Sequence, residues 1–195
     1  MRYEEYIRNF AEEFCENSII EESEFPDMGL YADQVSSFIS TKLAIYGKDP
    51  LLSKAKISSL VKKGFIPPPE KRRFERDQVV LMELVLLLQT TYQPKDIEAL
   101  LKPIVANKAS LLDEHNDFFD VYNKLVPVFK KLRREAADRT TGLIDYIKDS
   151  MREASAEDDD TMEIFLVLLA IAMQVDTSMY IGKRLLREYF TDSKE

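Results

Sequence analysis

The run Gly64-Phe65-Ile66-Pro67-Pro68-Pro69 constrains this chain more than any other stretch, because no helix can pass through it. Proline fixes its own φ and lacks an N–H, and each proline also pushes the residue before it out of the helical region. The segment must therefore run extended. The rest of the chain is written in helix formers, with four further glycines, no tryptophan and long runs of Leu, Lys, Glu and Ala. This composition predicts an all-α protein with one short extended insertion.

Charge singles out the same region. Between Lys48 and Arg76 there are nine Lys or Arg and three acids, a local +6 within a net charge of −8, so the remainder carries −14. A positive patch on a negative body draws a polyanion to one face and repels it elsewhere.

Helical periodicity predicts the elements around the insertion. Tyr3, Tyr6, Ile7, Phe10 and Phe14 form one stripe of an amphipathic arm whose other face is mostly acidic, and residues 21–29 form a connector. Tyr31, Val35, Phe38, Ile39, Leu43 and Tyr46 make a second stripe, ended by Gly47 and Pro50. Ser53 is placed to cap a short helix with Ile57, Leu60 and Val61 inward, and Gly64 stands where a C-terminal cap glycine belongs. Its outward side is expected to carry Lys54, Ala55, Lys56, Ser59, Lys62 and Lys63. Asp77 to Tyr92 is apolar nearly all round and reads as the central buried helix, and Pro94 opens another.

The second half reads as a bundle. A helix from Ser110 carries Phe118, Tyr122, Leu125, Phe129, Leu132 and Ala136 at spacings of four and three, with Pro127 expected to kink it. Separate helices are expected at Leu143–Met151, Thr161–Val175 and Met179–Phe190. The most apolar stretch, Met162 to Val175, falls short of the roughly 20 residues that span a bilayer and reads as buried, so no membrane partner is expected. The lone Cys15 excludes an internal disulfide, and the N-terminal sequence lacks signal-peptide character, which together predict a cytoplasmic protein.

Catalysis finds little support. One cysteine, one distant histidine and no Gly-rich phosphate loop leave no nucleophile and base pair, so no enzyme and no cofactor are expected. His115 within Asp113-Glu114-His115-Asn116-Asp117 is better read as a solvated helix start than a metal site, and Glu157 to Asp160 as helix-capping acids. Phe118, Phe119, Tyr122 and Phe129 with Met162, Met173 and Met179 could line a pocket for a small-molecule effector or form ordinary core.

The series KKGFIPPP, RRFERDQVVLMELVLLL and PKDIEALL resembles the MerR-type winged helix-turn-helix, and FPDMGLYADQVSSFI through FERDQV is similar to the YkrK-like proteins, a bacterial family of unknown function. The MerR resemblance implies a recognition helix ending at Gly64, a wing from Pro67 to Arg73 and an anchoring aromatic at Phe74. Ser58-Ser59-Leu60 replaces the Arg-Tyr-Tyr-like run of that pattern, which removes bidentate arginine readout of guanine from this helix. The expected organisation is an arm (1–28), a MerR-like winged helix-turn-helix (29–106) and a helical bundle for dimerisation or effector sensing (107–195). The expected function is transcription regulation on double-stranded DNA by a homodimer whose half-sites lie about one helical turn, roughly 34 Å, apart. Lys54, Lys56, Ser59, Lys62 and Lys63 would approach the major groove while Lys71, Arg72 and Arg73 hold phosphates. A protein-interaction module on the same scaffold is the alternative.

Overall fold

The computed structural model describes residues 3–47, 50–106, 118–153 and 160–190, and among these the protein is all-α, with seven helices and no strand. They are α1 (Tyr3–Asn17), α2 (Ala32–Lys42), α3 (Lys54–Lys62), α4 (Arg76–Leu88), α5 (Pro94–Ala106), α6 (Phe118–Glu153) and α7 (Asp160–Tyr189). Short 3-10 turns at Glu22–Glu24 and Ala44–Tyr46 join α1 to α2 and follow α2.

The main core draws on Ile19 and Ile20, α2 (Val35, Ile39), α3 (Ile57, Leu60), α4 (Val79 to Met82, Val85), α5 (Ile97, Leu101) and the start of α6 (Phe119, Tyr122, Val126). Helix α4 is buried on almost every side, as its composition predicts. It packs against α6 and carries one fully buried carboxylate, Glu83. A second, smaller cluster joins α6 and α7 through Ile144, Ile147 and Val167, with Ile7 of α1 packed against it.

The arm α1 lies along α6. Its acidic side meets the basic stretch of α6: Glu16 pairs with Arg134 and lies 3.9 Å from Lys130, which also pairs with Glu21 of the connector. Arg133 reaches the Ser18 hydroxyl and stacks over the Phe14 ring, 5.5 Å from its centroid. These pairs use up the cations of α6 close to the arm.

Three expectations need correction. The helix predicted at Leu143–Met151 is part of α6, and those at Thr161–Val175 and Met179–Phe190 are a single helix, α7. Neither Gly142 nor Asp176-Thr177-Ser178 ends a helix: an interior glycine costs about 1 kcal/mol and the others are merely weak formers. Pro127 lies inside α6, where it forfeits one ladder bond, and the helix continues for 26 residues beyond it to Glu153. The third correction concerns burial. Met162 to Val175 is not a buried helix: Phe165 is 58% exposed, Leu168 60% and Met173 65%. At 30 residues α7 is long and apolar enough to cross a membrane by length and composition, and little of its most apolar window is buried. The helix start predicted at Ser110 lies outside the described residues.

Candidate nucleic-acid interface

Local sequence builds α3 from both ends. The Ser53 hydroxyl accepts the Lys56 N–H at 3.2 Å, satisfying one of the free amides of the first turn. At the other end the Gly64 N–H donates to the Val61 carbonyl and the Phe65 N–H to the Leu60 carbonyl, both at 3.0 Å, with Gly64 at φ +77°. This is a Schellman termination, and the positive φ is the reason for glycine. It also turns Phe65 and Ile66 into the core, so that the prolines leave along the surface.

The proline segment is held from α4. The Gln78 side-chain amide donates to the carbonyls of both Pro67 and Pro68 at 3.0 Å, while its Oε1 accepts the Glu75 N–H at 2.8 Å. One buried glutamine thus caps α4 and fixes the extended run, whose carbonyls find no ladder partner of their own. Beyond it the chain reverses through Glu70-Lys71-Arg72-Arg73. The Arg73 N–H donates to the Glu70 carbonyl at 2.7 Å, and an isolated antiparallel bridge joins these two residues. Lys71 and Arg72, the two central residues, both have positive φ, 45° and 67°. That is the backbone of a type I′ hairpin turn, which ordinarily favours Asn and Gly. Phe74, buried, forms a second antiparallel bridge with Leu30 through two backbone bonds of 2.8 and 2.9 Å. Gly29 permits this approach, since a Cβ there would meet the Glu75 carboxylate and the Arg73 Cβ.

The expected site residues divide into three groups. Lys54, Lys62 and Lys63 on α3 and Lys71 and Arg72 at the turn are exposed, and among the described residues Lys62, Lys63, Lys71 and Arg72 have no ion-pair partner. Lys54 stands 3.9 Å from Asp33, with both groups well exposed, so this pair is worth little. Arg73 lies over the Tyr31 ring at 5.1 Å, which orients it on the same side as the turn. Lys56 and Ser59 form the third group. They are half-buried at the rim of α3 and not on its outer face, and burial pushes the Lys56 amine below its ordinary pKa. Lys56 borders a crevice lined by Leu43, Tyr46 and Leu51. The outer face instead presents Ser58, which periodicity assigned to neither side, between Lys54 and Lys62. Tyr31 and Gln78 also went unpredicted, because their roles depend on Arg73 and the prolines coming close in space.

The other candidates do not gather into a site. Phe119 and Tyr122 are core residues packed edge-on against Phe25, with ring centroids at 5.2 and 6.1 Å. Met162 is exposed, and Met173 and Met179 border an open cleft of about 800 Å³ with Tyr92 and Arg139. Among the described residues no three His, Cys, Asp or Glu side chains are grouped as metal ligands would be, and His115, Asp113, Glu114 and Asp117 lie outside the described residues, as do Glu157 to Asp159.

A family model described as a domain of unknown function (DUF1836) matches residues 20–125, which is more than half of the 195-residue chain. No curated protein and no solved structure matches the chain.

Proposed function

For this chain, which belongs to the DUF1836 family of unknown function, we propose a role as a DNA-binding transcription regulator in which α3 and the Glu70–Arg73 turn form one phosphate- and groove-facing surface. The reading rests above all on Lys71 and Arg72. Two non-glycine residues in left-handed conformations cost on the order of 1 kcal/mol each. A turn that Asn-Gly would form without strain instead places two exposed cations at its tip. The strain is intelligible if the charges are needed there, beside Lys62, Lys63 and Arg73.

The order of parts supports the MerR-like interpretation. A short backbone pairing at Leu30 precedes two helices, the second ends at Gly64, and a reversed hairpin turn returns the chain to pair Phe74 with Leu30. In this reading Glu70 to Arg73 is a minimal wing, and the likeness to YkrK-like proteins belongs with it. Lys54, Ser58 and Lys62 face the groove, Lys63, Lys71, Arg72 and Arg73 hold backbone phosphates, and Lys56 and Ser59 contribute at the edge. The role proposed for this surface is binding. The dominant contribution is electrostatic, and base selectivity is modest without arginine on the groove-facing side.

Fluorescence anisotropy of the whole protein with its own upstream region and with random duplex tests the proposal. Four phosphate contacts predict an affinity loss of about a hundredfold between 50 and 200 mM salt. Lys62→Glu with Lys63→Glu should abolish binding to both duplexes while leaving the helical circular dichroism unchanged. An absence of wild-type binding, or an unchanged affinity in the double variant, would overturn the assignment and favour a protein-interaction module.

A further inference from the structure

We infer that α7 is the interface of a homodimer, in which the outward faces of two α7 helices pair antiparallel about a two-fold axis near residue 171. The inference stands apart from the DNA-binding reading. Helix α7 packs on α6 through Glu163 and Val167, and Lys148 of α6 lies 3.5 Å from Glu163. The opposite side carries Met162, Phe165, Leu169, Met173 and Tyr180 at helical spacings, with Leu168 beside them, all between 46% and 66% exposed. A large side chain buries on the order of 150–250 Å². The six exposed side chains on this face, each about half to two-thirds uncovered, therefore leave on the order of 600 Å² of apolar surface open. That stands at the upper end of the roughly 300–600 Å² of the largest patch on an ordinary monomer and supplies most of the roughly 800 Å² that each partner brings to a standard interface.

A lipid bilayer is the competing cover, and the neighbouring helix argues against it. Sinking α7 into lipid would carry with it Lys148, Asp149 and Arg152 of the attached α6, and each charge costs several kcal/mol at the bilayer centre. A second copy imposes no such cost. Four of the six outward residues are also related about residue 171: a two-fold there sets Met162 against Tyr180 and Leu169 against Met173, with the small Ala172 beside the axis. Charge follows the same symmetry. Residues 157–163 hold five acids and no base, whereas residues 183–190 hold three bases and one acid. Antiparallel pairing brings Asp160 of one copy toward Lys183 and Arg184 of the other, while parallel pairing would set like charges together.

Sedimentation equilibrium of the full chain should give twice the 22.6 kDa chain mass at tens of micromolar. Leu169→Glu with Met173→Glu, both on the surface of the single chain, should give the monomer mass with unchanged helicity. In a Cys15→Ser background, Ala172→Cys should cross-link to itself, and Tyr180→Cys should cross-link to Met162→Cys but not to itself. A monomeric wild-type chain, a dimeric double variant or self-linking of Tyr180→Cys would each overturn the proposal. So would flotation of the wild-type chain with neutral phospholipid vesicles.

Discussion

Glu83 Oε2 and the Tyr122 hydroxyl lie 2.9 Å apart in the core, and the same hydroxyl lies 2.9 Å from the Ile20 carbonyl oxygen. Glu83 Oε1 accepts the Ile20 N–H at 3.0 Å. The phenol has one proton and two acceptors to serve. If Glu83 is protonated, it donates to the Tyr122 oxygen, the phenol donates to Ile20, and every group in the ring is satisfied. Burial is the larger force acting on the carboxyl and pushes its pKa up to about 7, although the hydrogen bonds from Ile20 and Tyr122 and the charge of Arg133 oppose it and Glu24 reinforces it.

This ring predicts a pH-dependent stability. The folded state holds the Glu83 proton more tightly than the unfolded chain, whose carboxyl titrates near 4.5. Its contribution is therefore complete below about pH 4.5 and is lost as pH rises to about 7, the reverse of a salt-bridged acid. Urea unfolding should show this group costing about 2 kcal/mol between pH 5 and pH 8. Glu83→Gln, a neutral isostere able to donate to Tyr122, should remove that slope. An unchanged slope would place its origin in other groups.

Replacing Lys71 and Arg72 by Asn and Gly should stabilise the protein by roughly 1–3 kcal/mol, because the strained turn then receives residues that prefer positive φ. The same variant should bind DNA at least about tenfold more weakly at 50 mM salt through loss of two phosphate contacts. Thermal melting and anisotropy on one preparation check both signs.

Gly64→Ala should cost about 1 kcal/mol. Space is not the obstacle, since a Cβ at this position meets nothing within 4 Å, so the whole effect is conformational, at φ +77°. Chemical denaturation should give a lower midpoint with an unchanged slope.

Gln78→Leu retains the volume and leaves the carbonyls of Pro67 and Pro68 without their donor. A loss of about 1–3 kcal/mol is expected, together with faster amide exchange at Arg73 and Phe74, which the freed segment positions. Unchanged exchange would show that the bridge at Phe74 suffices alone.

What the sequence made legible was local. Ser53 and Gly64 bound α3, and Pro94 opens α5, because capping and proline chemistry act within a turn of the residue that carries them. The lengths of α6 and α7 were not legible, since a helix continues wherever nothing stops it and Gly142 alone does not. Glu83 was hidden in a run apolar nearly all round, and its partners lie 63 and 39 residues away in sequence. The outer face of α7 reads as core by periodicity, which reports that a face is apolar but not what covers it. Within the candidate interface the cations were legible as a charge cluster, whereas the turn that strains two of them, and the rim positions of Lys56 and Ser59, required the backbone.

The ring of Ile20, Glu83 and Tyr122 also acts as a clasp across the chain. It brings together residues separated by 102 positions in sequence, and the segment from 20 to 125 just encloses all three. A chain cut short of Tyr122 would strand a buried acid without its partner, and one begun after Ile20 would remove both backbone groups that complete the circuit. Glu83 stands on α4, the helix that directly follows the basic turn, so the clasp ties the base of that turn to stretches of chain on both sides of it.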